Sequence, residues 1–205
     1  MSRSLYYFET LVKTKSSADW LAWGLFPNAK EITESLGCFE AVAQNIDEDF
    51  NNDKVNLVVI GDGSTPRTAA VFATRTKWNC YSVDPEMRDR PWDSMIGRLK
   101  TFKSKIQDVP LDLNGPTILV FPHSHVKIND AIKNLKVNGP LHIMAMPCCL
   151  PLYLKGFPHH IEYNDNMIWS EKNLIKIWKN LSLQEIKEKK HEINPKSKKV
   201  SKAVD

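Results

Sequence analysis

The chain has 205 residues, 42% of them hydrophobic and 25% charged, with a formal net charge of +4. This is ordinary globular usage over about one domain's length. With no apolar stretch of about 18 residues and no charged-then-apolar leader, the sequence predicts a soluble, intracellular protein without a membrane span or secretory signal. Residues 1–50 read as an N-terminal helical cover. Ser16-Ser17-Ala18-Asp19 is a cap region, and Ile32 to Ala43 carries an apolar face at helical spacing.

Residues 51–182 alternate strands with helices: strand 57–60, helix 66–75, strand 79–83, helix near 91–98, strand 99–104, strand 117–121, helix 127–136 and strand 141–146. That alternation predicts a parallel sheet. His160 to Tyr163 and Leu174 to Trp178 read as short strands at the sheet edge. Residues 183–205 form a basic tail expected to be disordered; from residue 181 onward seven lysines face four acids, a local +3. Such a tail is either a solvated end or a contact to phosphate backbones through counterion release, and both readings stand.

The segment Leu57-Val58-Val59-Ile60-Gly61-Asp62-Gly63 is an apolar strand that stops abruptly in Gly-x-Gly. Glycine lets the chain pass close beneath a ligand. Helix 66–75 points its N-terminus back at this loop, and Asp84, about 20 residues on, can accept hydrogen bonds from ribose hydroxyls. The pattern predicts a nucleoside cofactor, although an αβ turn can use glycine for geometry alone. Ser64-Thr65-Pro66 supplies no third glycine and Asp62 repels phosphate, so a dinucleotide-dependent oxidoreductase is the weaker reading and S-adenosylmethionine the better one.

Ile60-Gly61-Asp62-Gly63, Val83-Asp84-Pro85, Ile106-Gln107-Asp108, Phe121-Pro122-His123-Ser124-His125 and Met146-Pro147-Cys148-Cys149, in that order, resemble the class I S-adenosylmethionine-dependent methyltransferases. The likeness spans roughly residues 55–180 and is strongest to the group with a Pro-Cys-Cys fifth-strand motif, which includes transfer-RNA uridine ribose methyltransferases. It implies an α/β, Rossmann-like methyltransferase fold: a mostly parallel seven-stranded sheet, helices on both faces and a C-terminal antiparallel hairpin. It also implies that Gly61, Asp62 and Gly63 surround the methionine part of the cofactor, that Asp84 holds the ribose, and that Asp108, with Gln107 beside it, meets the adenine amino group. Phe121 to His125 would lie beside the transferred methyl. The Asn/Asp-Pro-Pro-Tyr signature of amino-methylating enzymes is absent, which disfavours amino-nitrogen methylation.

His123 and His125 alternate by two, so on an extended chain they face the same side, and His123 is the candidate general base. Adjacent Cys148 and Cys149 are poorer chelators than Cys-x-x-Cys, so no metal is expected there; they read as small residues at a turn near the substrate entrance. The remaining substrate-binding candidates are Arg88 for phosphate, Trp92 for base stacking, and Lys155. Of the lysine, aspartate, lysine, glutamate set common in ribose methylation, Lys155 and Glu171 fall in place, but histidine stands where aspartate is needed. Two functions therefore remain open: a methyltransferase, most plausibly on RNA, and a noncatalytic methyltransferase-like module of a larger protein assembly.

Overall fold

The computed structural model describes residues 4–149, 152–154 and 156–192. Three helices open the chain: α1 (Tyr6–Lys13), α2 (Ser17–Ala22) and α3 (Ala29–Asn45). α3 starts where the Asn28 side chain accepts a hydrogen bond from the Glu31 N–H at 3.2 Å, satisfying one of the donors that a helix start leaves open. Its face from Leu36 to Val42 is nearly all apolar and buried.

The strands and helices that follow are β1 (Asn56–Ile60), α4 (Arg67–Arg75), β2 (Asn79–Val83), α5 (Trp92–Met95), β3 (Leu99–Phe102), β4 (Leu111–Asn114), β5 (Thr117–Pro122), α6 (Ile128–Ala131), β6 (Leu135–Asn138), β7 (Leu141–Met146), β8 (Ile161–Asn164), β9 (Leu174–Leu181) and α7 (Leu183–Glu192). A seven-stranded sheet runs β3-β2-β1-β5-β7-β9-β8. Its first five strands are parallel, and β9 runs antiparallel to both β7 and β8. The expected mostly parallel sheet with a C-terminal antiparallel hairpin is therefore present.

Alternation within the strands assigns two apolar faces. Leu57, Val59, Ile118, Val120, Met144 and Ile177 pack with α3 and α4. Val58, Ile60, Leu119, Phe121, Ile143 and Trp178 pack with α6, the β4 and β6 leucines, and Leu183 and Ile186 of α7. Every residue of β1, β5 and β7 is buried, as strands covered on both faces must be. The hairpin loop is tied back to the N-terminal helices, where Trp169 N–H donates to Thr33 Oγ1 at 3.0 Å and the Tyr7 hydroxyl donates to Asp165.

Several expectations are corrected. The helix expected at 127–136 is only the four-residue α6, and β6 follows it, paired parallel to β4 in a separate two-stranded sheet. Leu111 and Leu113 in β4, and Leu135 and Val137 in β6, turn inward at two-residue intervals while their neighbours are exposed, so period-two burial decides the conformation there. The helix expected near 91–98 shortens to α5, and Arg98 in left-handed conformation leads into β3. α7 occupies the first part of the segment read as a disordered tail, whereas residues 193–205 lie outside the described residues.

At the amino ends of the strands the chain makes a tight foot. Asn56 Nδ2 donates to Asn114 O at 3.0 Å, and Asn138 Nδ2 donates to Asn114 Oδ1 at 2.9 Å. Gly139 passes so close to Gly115 that an added Cβ would collide with the Gly115 carbonyl.

Candidate functional site

The carboxyl ends of the parallel strands converge where the sheet order reverses between β1 and β5, the crevice in which open α/β sheets bind ligands. Gly61 leaves β1 with φ +80°, and an added Cβ would sit 3.2 Å from the Ser124 Cα. Glycine here lets the loops after β1 and β5 touch. Gly63 N–H donates to Asp84 Oδ2 at 2.7 Å, and Glu86 N–H donates to Asp84 Oδ1 at 2.8 Å. An ionised carboxylate has about four acceptor positions, so two remain on Asp84 for hydroxyl donors.

Asp62 points away from the crevice. It is completely buried and accepts hydrogen bonds from Thr68 N–H (2.9 Å), Ala69 N–H (3.1 Å) and Ser82 Oγ (2.9 Å). Burial pushes its carboxyl above the ordinary value, against the pull of Arg67 and of these hydrogen bonds. Pro66 offers no side-chain cap to α4, so Asp62 supplies that cap from a distance. Its expected place around a cofactor is thus corrected: its charge is used inside the fold.

Residues of the N-terminal cover lie over the crevice. Arg67 donates to the Asp62 carbonyl, lies against Gly63, and pairs with Glu31 at 3.5 Å. The other Glu31 oxygen, Oε2, is buried without a hydrogen-bond partner among the described residues. One turn on, Glu34 Oε1 stands 3.0 Å from His123 Nε2 and 2.8 Å from Lys30 Nζ. Burial pushes the Glu34 carboxyl up, but His123 and Lys30 together outweigh it and hold the group below its ordinary value. Sequence reasoning missed Lys30, Glu31, Glu34 and Arg67. Asn28-x-x-Glu31 marks a helix start, and charges at 30, 31 and 34 interrupt an otherwise apolar face; those were the available signals.

The two histidines do not face the same side. His123 has φ +56°, so the chain is not extended there and the alternation by two fails. His123 turns to Glu34 on α3, whereas the exposed His125 turns to Cys149, with Nε2 3.2 Å from Sγ. Cys148 Sγ lies 3.4 Å from Cys149 Sγ and 3.3 Å from the His123 carbonyl oxygen.

The remaining candidates scatter. Gln107 and Asp108 form a 3-10 turn after β3, with Asp108 exposed and Gln107 Oε1 buried without a hydrogen-bond partner among the described residues. Arg88 is exposed. Trp92 is 1% exposed, its Nε1 donates to Arg88 O at 3.2 Å, and the Arg90 guanidinium covers its ring at 4.5 Å. The expectation of a stacking platform is corrected, because a core indole offers no face to a base. Glu171 is exposed, and Lys155 lies outside the described residues. An open hollow of about 400 Å³ lined by Thr14, Thr74 and Arg75 sits at the far end of α4, away from this chemistry.

No family model and no curated protein matches the sequence. Among solved structures, a point mutant of MtNAS in complex with S-adenosylmethionine has a TM-score of 0.54 at 8% identity, over 87% of this chain and 72% of that one. MtNAS in complex with MTA and tNA has a TM-score of 0.51 at 9% identity, over 87% of this chain and 70% of that one. The fold is Rossmann-like. At such identities the likeness is one of architecture alone, and it agrees with the sheet order described above.

Proposed function

We propose that the chain binds S-adenosylmethionine in the crevice between the loops after β1 and β5 and transfers its methyl group, with RNA as the acceptor. The observation that carries this reading is Asp84, buried at the end of β2 and anchored by the Gly63 and Glu86 N–H groups, with acceptor capacity left for a ribose diol. Arg67, against Gly63, and the Glu31 oxygen without a partner among the described residues, on the carboxyl that pairs with Arg67, suit the carboxylate and ammonium of an amino-acid moiety. A protein of the same fold, MtNAS, was solved with S-adenosylmethionine. His123, whose Nε2 stands 3.0 Å from Glu34 Oε1, would take the proton from an attacking hydroxyl in this reading.

The acceptor rests on different support: exposed Arg88, the lysines of the C-terminal segment, and the resemblance to transfer-RNA ribose methyltransferases through Pro147-Cys148-Cys149. Calorimetric titration with S-adenosylmethionine and with NAD tests the cofactor. Wild type is expected to bind the first and not the second, and Asp84→Ala to bind about tenfold to a hundredfold more weakly, the worth of charge-assisted hydrogen bonds. No binding at millimolar S-adenosylmethionine sinks the reading and returns the chain to a noncatalytic role. Deleting residues 192–205 is expected to flatten the salt dependence of RNA binding and leave cofactor affinity unchanged.

A further inference from the structure

The β5–β7 register pairs Phe121 with Ala145 and Pro122 with Met146, so the two strands end side by side and their loops leave together. His123 N–H donates to Met146 O at 3.0 Å and extends the pairing one step further. Three residues past Pro122 stands His125; two and three past Met146 stand Cys148 and Cys149. Residues 24 positions apart in sequence are thereby brought into contact. One ring nitrogen of His125, Cys149 Sγ and Cys148 Sγ lie within 4.8 Å of one another, with Cys149 and His125 exposed and Cys148 half-buried.

We propose that His125, Cys148 and Cys149 bind a thiophilic d10 cation, zinc(II). The donor set is two thiolates and one imidazole, which soft and borderline cations prefer over hard oxygen-seeking ones. With Zn–S near 2.3 Å and Zn–N near 2.0–2.1 Å, a tetrahedral ion spans S···S of about 3.8 Å and S···N of about 3.6 Å. The observed 3.4 and 3.2 Å are each shorter by a few tenths of an ångström and the third separation lies within 4.8 Å, so the side chains must adjust to seat the ion. Without a cation these contacts are only weak thiol hydrogen bonds. Binding exchanges two S–H bonds for two Zn–S bonds and releases two protons to solvent. Three protein ligands leave the fourth position open, the arrangement of zinc sites that take water or a substrate atom. Adjacency of the cysteines made a site unexpected from sequence, but the third ligand comes from the loop after a neighbouring strand. The inference does not rest on S-adenosylmethionine binding.

The test uses the full chain, reduced and stripped with a chelator, titrated with zinc(II) against a chromophoric competitor at pH 7.5 and with cobalt(II) as a spectroscopic probe. One equivalent is expected, with a dissociation constant of about 1 µM or tighter and thiolate-to-cobalt charge-transfer absorption. Cys148→Ser and Cys149→Ser should abolish that absorption, and His125→Ala should weaken zinc about tenfold or more. Affinity should fall steeply as pH drops, because both thiols must deprotonate. Cys38 and Cys80 are buried, so their thiols do not compete. Far-ultraviolet circular dichroism of each variant separates loss of site from loss of fold. Failure to saturate, or undiminished binding in Cys149→Ser or His125→Ala, overturns the proposal.

Discussion

Replacing Asp62 by alanine should destabilise the protein strongly, for reasons located in α4 and β2. The carboxylate serves three donors: two helix-start N–H groups that nothing else caps, and the buried Ser82 hydroxyl. A donor left buried without a partner costs about 1–3 kcal/mol. Ser82 can rotate to another acceptor, but the Thr68 and Ala69 N–H groups are fixed by the helix. Two fixed donors give about 2–6 kcal/mol, offset in part because the variant no longer buries a charge. A net loss of about 3 kcal/mol is expected, or a fall in melting temperature of roughly 6–12 °C for a chain of this size. Asp62→Asn keeps the shape and one acceptor, yet turns an NH2 toward donors, so it should lose about 2 kcal/mol. Urea unfolding at pH 7 measures both. A shift below about 1 kcal/mol in Asp62→Ala, with an unchanged urea slope, would refute the assignment of Asp62 to helix capping.

Three other perturbations follow from the geometry. Gly61→Ala forces a side chain into left-handed backbone and against Ser124, and should cost about 1–3 kcal/mol in chemical denaturation; a neutral result would mean the two loops do not touch. Glu34 is held below its ordinary value of 4.5, so the stability it contributes is present above that value and lost as pH falls through its lower folded value; Glu34→Gln should flatten this acid-side loss in urea midpoints measured from about pH 3 to 6. Trp92→Ala should cost about 3–5 kcal/mol as a core truncation while leaving the affinity of the folded variant for any RNA unchanged, and a loss of about 1–3 kcal/mol in RNA affinity would restore the stacking role.

The sheet was legible because its central strands are short apolar runs bounded by glycine, proline or asparagine, a pattern that burial on both faces imposes. The segment 127–138 was not. Its apolar positions suit helix and strand alike, and the partner that makes β6 a strand is β4, three elements earlier. At the site, Gly61 and Asp84 stood out through spacing, but the direction of the Asp62 carboxylate depends on where α4 begins in space. The divergence of His123 from His125 follows from one positive φ at a non-glycine residue, which no periodicity announces. Glu31 and Glu34 escaped notice because a helix lying over a crevice looks, in sequence, like any helix lying over a core.

The foot of the sheet bears on how this fold can change over time. Because β1, β5 and β7 are buried on both faces and apolar apart from Asn56, Thr117 and His142 near their amino ends, a slip of one residue in the rest of their pairing would exchange one buried apolar side chain for another, and polarity there would oppose it weakly. Asn56, Asn114 and Asn138, bonded across the amino ends, together with the close pass at Gly139, supply the missing reference mark. Alignment is thus enforced at one end of the strands and chemistry is gathered at the other. Loops carrying His123, His125, Cys148 and Cys149 are free to exchange residues, lengthen or acquire new ligands without disturbing the alignment of the strands that present them.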